Sequence, residues 1–425
     1  WVDAKNKITI KRYWDVNYEL DFDHSEEYFI EHIKYLLEDS ARVHMRADVE
    51  VGAYASGGID SSLLAQLASG YRLDKDKKFK IFNGKFNEGD SFDESRYARD
   101  LADENNMELS VTKITEQDFV DSISKVIYHL DTPIAGPGAF PQYMVSEDAS
   151  KNLKVVLGGQ GGDEIFGGYA RYLIAYFEKC IQGGIEGTLD NGNFIVGYES
   201  IIPNLTSLKE YKPLIKEFWS KGLFEDGDKR YFRLINRSNT IESILSPDII
   251  NHSQSFEKFE SIFLSSNVGK ESYFDQMTHF DFKTLLPSLL QVEDRMSMAH
   301  GLESRVPFLD HPLIEFVATI PSNIKFKNGE LKRILKNTFS DRIPKSIKNR
   351  KDKMGFPVPL NKWLKKGGPA RDFIGDILST SSAKSRPYLA KDFSVDSVLD
   401  TDSIYGRNIW GLLSLELWQN KFIDA

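Results

Sequence analysis

The chain has 425 residues, a hydrophobic share of 41% and a formal net charge of -9; this allows two or three domains with a sizeable core and argues against general nucleic-acid binding. No run of about 18 apolar residues could cross a membrane, and no secretory signal is visible. The single cysteine, Cys180, excludes an intrachain disulfide and a cysteine metal cluster, and fits a reducing, cytoplasmic setting.

In chain order, residues 1–23 read as a connector with a strand-like run over Ile8–Ile10. The chain begins at Trp1 and not at Met, so a segment upstream is expected. Ser25, Glu26 and Glu27 open a helix whose apolar face is Phe29, Ile33, Leu36, Leu37 and Ala41. Val49, Val51 and Ala53 alternate as a short buried strand, and Ile59, Leu63, Leu64 and Leu67 recur at helical spacing. Between them lies Ser56-Gly57-Gly58-Ile59-Asp60-Ser61-Ser62. A glycine turn between a strand's end and a helix's start lets backbone amides approach an anion. The serines add hydroxyl donors, and Asp60 adds a carboxylate that can hold a metal on that anion. No lysine follows the glycines, so this is not a Gly-x-x-x-x-Gly-Lys phosphate loop, and Gly-x-Gly-x-x-Gly is also absent.

Strands are expected at 79–86 and 109–114, and helices after Phe92 and after Thr115. Strand alternating with helix predicts a parallel sheet. In such a sheet the glycine turn and Asn83-Gly84 lie toward the carboxyl ends of the strands, where ligands bind. Residues 131–141 are an extended loop, with a helix following from about Gln142, and Val155-Val156-Leu157 is a buried strand. Next comes Gly158-Gly159-Gln160-Gly161-Gly162-Asp163-Glu164-Ile165-Phe166-Gly167-Gly168-Tyr169. A stretch so rich in glycine should form neither helix nor strand. Asp163 offers a second carboxylate, and two carboxylates plus phosphate oxygens suit Mg²⁺.

Residues 180–203 look like a glycine-rich surface insertion, and 210–281 like part of a helical subdomain in which His252 and His279 are structural. Leu286-Pro287-Ser288-Leu289-Leu290, Glu293-Asp294-Arg295-Met296-Ser297-Met298-Ala299 and Glu303-Ser304-Arg305-Val306-Pro307-Phe308-Leu309-Asp310 follow. Residues 331–339 read as a helix carrying Lys332, Arg333 and Lys336. The basic run Lys345, Lys348, Arg350, Lys351 is read as a solvated face, with Lys353 standing before Met354-Gly355-Phe356-Pro357. From Gly367 the chain reads as a polar tail with some helix, ending in an apolar run around Trp410.

The Ser-Gly-Gly-x-Asp-Ser stretch resembles the pyrophosphate loop of ATP pyrophosphatases. The second glycine loop is similar to the Ser-Gly-Glu-Gly-Ala-Asp-Glu-x-Phe-Gly-Gly-Tyr signature of asparagine synthetases, and the later stretches agree in order. The resemblance covers roughly 48–364 and implies an α/β fold: a parallel twisted sheet with helices on both faces, plus an α-helical subdomain. The expected division is 1–47 connector and packing helix, 48–180 nucleotide-binding core, 181–285 helical insertion, 286–365 remainder of the site and 366–425 tail. By the same resemblance, the activity is amide formation through an acyl-adenylate, with ATP and Mg²⁺. A small-molecule carboxylate, foremost aspartate, and ammonia are the other substrates. Tyr54, Ser56, Gly57, Gly58, Asp60, Ser61, Gly84, Gly158 and Gly159 would meet ATP or its pyrophosphate. Asp60 and Asp163 would hold the metal, Lys353 would be the catalytic lysine, and Gln160 and Glu164 would stand by the acceptor. A glutaminase domain or subunit is expected upstream, with a homodimer left open.

One departure stands out. Gln160 occupies the place of the signature's glutamate, and an amide cannot take a proton at neutral pH. A related amidating or cyclising ligase acting on a sugar acid, peptide or β-amino acid therefore stays open, as does a non-catalytic ATP-binding module.

Overall fold

The computed structural model describes residues 1–133, 136–187, 208, 212–236, 241–251, 253–270, 272–350, 355–401 and 407–424. Five strands form one parallel sheet in the order β3-β2-β1-β4-β5: β1 Val51–Tyr54, β2 Lys80–Phe86, β3 Glu108–Ile114, β4 Val155–Leu157 and β5 Glu303–Arg305. The central strand β1 pairs Ala53 with Ile81 on one side and with Leu157 on the other. The inner strands β1 and β4 are buried along their whole length, as a sheet covered on both sides requires, while the edge strands β3 and β5 carry polar, partly exposed residues.

The alternation of side chains divides the core in two. Val51, Ala53, Ala55, Ile81, Val155 and Leu157 face one cluster, joined by Phe29, Ile33, Leu37 and Ala41 of helix Glu26–His44 and by Leu63, Leu64 and Leu67 of helix Ile59–Ser69. Tyr54, Phe82, Phe86, Ile114 and Val156 face the opposite cluster, with helices Glu116–Leu130 and Ala139–Ser150. The first of these two helices opens with a capping box at Thr115 and buries Phe119, Ile123, Val126, Ile127 and Leu130, which recur at helical spacing.

A third cluster lies among helices outside the sheet and includes Tyr172, Phe177, Phe259, Phe263, Phe274 and Phe280. The long helix Tyr273–Met298 belongs to it at its start and reaches the sheet at its end, where Met296 packs with the Tyr54 cluster. His279, in this helix, is buried, while His252 lies outside the described residues.

Several expectations need correction. Ile8 makes an isolated bridge to Val2 and no strand forms; Ile10 is almost fully exposed and has no sheet to pair with. The 131–141 loop ends early, because Ala139, Phe140 and Pro141 already form a first helical turn, the position where proline is tolerated. Gly162–Phe166 is a short helix inside the second glycine loop, bounded by Gly161 and Gly167 in the left-handed region. Cys180 is no insertion: helix Ala170–Glu186 carries it and runs through Gly183, which is buried. The rest of that stretch, 188–203, lies outside the described residues. The residues after Gly367 are no tail either. Helices Pro369–Leu378 and Arg407–Phe422 bury Ile374, Trp410 and Leu413 in the same cluster as Tyr54 and Phe82.

Candidate active site

At the carboxyl end of β1 the chain turns through Gly57, whose φ is 72°. A Cβ there would sit 2.8 Å from Tyr97 Cβ, so only glycine fits both the angle and the space. The helix that follows is capped by Gly58 without a side-chain hydrogen bond, which leaves its first amides to an anion. The Ser56 amide donates to Ser61 Oγ at 3.2 Å, the two hydroxyl oxygens lie 3.0 Å apart, and Ser61 Oγ donates to the Gly58 carbonyl at 3.3 Å. The Ser56–Ser61 turn is thus closed on itself before any ligand arrives.

Gly158 to Gly168 follow β4, the neighbour of β1, and press directly on this turn. A Cβ on Gly159 would lie 2.9 Å from the Ser61 amide nitrogen, and one on Gly162 2.6 Å from Asp60 Cγ. The glycines therefore serve close approach of the two loops to each other. Their carboxylates converge: Lys332 Nζ touches Asp60 and lies 2.5 Å from Asp163 Oδ1. Sequence reading placed Lys332 in a helix with no part in the site. It is the residue before helix Arg333–Thr338, in the left-handed region and buried. Its ammonium marks one point at which two carboxylates can share a cation. Among the described residues no group of three His, Cys, Asp or Glu side chains could ligate a metal. This donor set suits a hard ion that completes its shell with phosphate oxygens and water.

Arg350 corrects the solvated-face reading. Its side chain is 5% exposed, pairs with Glu94, donates to the Gly57 carbonyl at 3.0 Å and stacks on Tyr97 at 4.2 Å. It ties the basic segment to the first glycine loop. Residues 351–354, including Lys353, lie outside the described residues.

The departure at position 160 has a structural counterpart. Gln160 Nε2 donates to Glu293 Oε2 at 3.3 Å, Gln142 Nε2 donates to the same oxygen at 3.4 Å, and Ser304 Oγ donates to Oε1 at 2.5 Å. A Cβ on Gly158 would meet Glu293 Oε1 at 2.7 Å. The Glu293 carboxylate is therefore under the second glycine loop, and its burial pushes its pKa above the usual range. Its motif was legible, but no role was read for Glu293, because contact with Gln160 spans 133 residues. Glu164, which the resemblance placed by the acceptor, accepts from the Tyr169 hydroxyl. Burial, and then the negative charge of Asp163, push its pKa up to about 7. Among the described hydrogen bonds it has none to Gln160.

Two further positions are placed differently from the loops. The Tyr54 hydroxyl pairs with Ser146 Oγ at 2.7 Å on the far side of the sheet from Ala53. Gly84 lies within β2, paired with Thr112, where an added Cβ would meet Phe356 at 2.6 Å and Val145 at 2.7 Å. Neighbouring Asn83 donates to the Ala55 carbonyl at 2.7 Å and braces the exit of β1.

The asparagine synthase family model matches residues 32–420. The chain is 28% identical, over 98% of its length, to "Asparagine synthetase [glutamine-hydrolyzing] 1" of Bacillus subtilis, covering 63% of that protein. It is 27% identical, over 92% of its length, to "Putative asparagine synthetase [glutamine-hydrolyzing]" of Mycobacterium tuberculosis, covering 57% of that protein. It is also 24% identical to "Amidase chry2" of Gibberella zeae, over 88% of this chain and 59% of that one. The chain thus spans about six tenths of the length of the curated relatives it matches. With nearly its whole length matched by one family model, and the two glycine loops of that family packed against each other at the end of a parallel sheet, the chain belongs to the asparagine synthase family.

Proposed function

We propose that the chain is an ATP-dependent carbon–nitrogen ligase that activates a carboxylate as an acyl-adenylate and passes it to ammonia. Aspartate to asparagine is the leading pair. One observation carries this reading: Asp60 and Asp163, from separate glycine loops, converge on a single cation beside the open amides of Gly58 and the helix it caps. That is the arrangement needed to hold a pyrophosphate leaving group.

In the proposed reaction a carboxylate oxygen attacks the α-phosphorus, the bond to the bridging oxygen breaks, and pyrophosphate leaves. Ammonia then attacks the acyl carbon, and AMP leaves with the bonding pair. Two anions meet in the first step, so positive charge must stand where it develops. Ser56, Gly57, Gly58 and Ser61 would bind the pyrophosphate, with Gly158 and Gly159 against the nucleotide. Asp60 and Asp163 would hold Mg²⁺, which neutralises phosphate oxygens when bound. Lys332 and Lys353 would add charge, and Arg350 would hold the Gly57 turn in place. The incoming ammonia must lose a proton as the C–N bond forms. Gln160 cannot take it, but Glu293, which accepts a hydrogen bond from Gln160, can. A pKa raised by burial suits a carboxylate to that task.

Nitrogen would come as free ammonia or from a glutaminase segment outside these 425 residues. Cys180 does not supply glutaminase chemistry, because it is buried and burial pushes its thiol up to about 12. The amide at Gln160 also supports a second reading, in which a different acid is adenylated by the same loops.

Aspartate labelled with heavy oxygen in its side-chain carboxylate tests the pathway. Transfer of one labelled oxygen into AMP is expected. Amide formed with the lost labelled oxygen in water or in inorganic phosphate, and none in AMP, would exclude an acyl-adenylate of aspartate.

A further inference from the structure

Lys332 is set unlike the chain's surface lysines. It is 4% exposed, its φ is 55°, and the residue stands at the head of helix Arg333–Thr338. A left-handed backbone in a residue with a side chain is costly and persists where the surroundings fix it. Here the surroundings are Gly168, where an added Cβ would overlap both Lys332 Cε and Asp163 Oδ1, and the two carboxylates themselves. Nζ bridges Asp60 and Asp163, at 2.5 Å from the second. Two carboxylates forced together by abutting glycine loops repel unless a cation stands between them. In this structure the cation is the ammonium.

The same point cannot also hold a divalent ion. Mg²⁺ binds carboxylate oxygens at about 2.1 Å and demands its own octahedral shell, so the ammonium must leave before the metal arrives. A free ion offers the displaced ammonium no partner, and two like charges would then crowd one buried site. A metal–nucleotide complex brings its own phosphate anion, which can receive the ammonium as the metal replaces it.

Resting on the assignment of Asp60 and Asp163 as metal ligands, we propose that Lys332 is a resident counter-ion that bars free divalent cations from this site, so that metal enters only together with nucleotide.

Mn²⁺ is the probe, because it shares the oxygen preference of Mg²⁺ and its binding is read directly from its paramagnetic resonance signal. The full chain without nucleotide should show no saturable Mn²⁺ site at millimolar concentration, and should gain one with a non-hydrolysable ATP analogue. Lys332→Met should bind Mn²⁺ without nucleotide at least tenfold more tightly than the parent chain. Lys332→Gln keeps a hydrogen-bond donor between the carboxylates and covers a folding failure of the methionine variant; it should show the same gain. Nucleotide-free binding as tight in the parent as in these variants would overturn the proposal. If the analogue creates no Mn²⁺ site, or one that Asp60→Asn and Asp163→Asn leave unchanged, the metal assignment itself falls, and the proposal with it.

Discussion

Gln160 and Glu293 have to be considered together. From sequence alone, a glutamate at 160 is a simple restoration of the family's carboxylate. In the structure it would set one carboxylate against another at about the 3.3 Å now spanned by the Gln160–Glu293 hydrogen bond. Like charges that close cannot both stay ionised, so one would protonate. Gln160→Glu should therefore lower ammonia-dependent turnover. Gln160→Glu combined with Glu293→Gln moves the carboxylate across the same bond and should recover part of it. Glu293→Gln alone removes the proposed base, and a loss of about a hundredfold is expected, at the lower end for general-base catalysis. The pH profile separates this from simple damage. A base must be deprotonated, so amide formation in the parent should rise with pH through the raised Glu293 pKa. That limb should be missing in Glu293→Gln, while adenylation persists. A variant that keeps the limb would remove Glu293 from the reaction.

At the scale of elements, the two glycine loops act as one unit, and glycine content alone does not say which positions matter. Gly162→Ala would drive a methyl to 2.6 Å from Asp60 Cγ, whereas at Gly411 in helix Arg407–Phe422 an added methyl meets nothing within 4 Å. Gly411→Ala should raise stability by about 0.5–1 kcal/mol through helix propensity, with activity unchanged. Gly162→Ala should lose most adenylation even where thermal unfolding shows a folded chain. Equal behaviour of the two variants would contradict the packing described. The same contrast explains what could be read in the sequence. Local signals placed β1 to β4, the start of a helix at Thr115 and both glycine loops within a residue or two. Long-range contacts stayed hidden: Lys332 meets Asp60 across 272 residues, and Arg350 meets Gly57 across 293. The apolar run around Trp410 was read, but its place in the core was not, since its partners include Tyr54 and Phe82, more than 300 residues away in sequence.

For the molecule as a whole, stability against acid depends on buried groups away from the site. His279 in the long helix is buried beside Tyr18, their rings edge to face, and neither ring nitrogen has a hydrogen-bond partner among the described residues. Burial first, and then the charge of Lys283, push its pKa down from 6.5 to about 4. The unfolded chain therefore binds this proton more readily. The contribution is fully present above pH 6.5 and is lost as pH falls toward 4, with roughly 2 kcal/mol gone between pH 7 and pH 5. Urea unfolding of His279→Phe should show a shallower loss than the parent over that interval. Parallel losses would mean that His279 titrates normally.

In the proposed reaction the sheet, paired loops, bridged carboxylates and the guanidinium of Arg350 would together serve one step, the exchange of pyrophosphate for a carboxylate at the α-phosphorus. ATP–pyrophosphate exchange measures that step without needing ammonia or a glutaminase. With Mg²⁺ and aspartate the chain should return labelled pyrophosphate into ATP, and omission of aspartate, or Asp163→Asn, should abolish the exchange. Exchange supported only by another carboxylic acid would keep the chemistry and replace the substrate. No exchange with any acid, from a chain that still binds nucleotide, would contradict the assignment of these loops to catalysis.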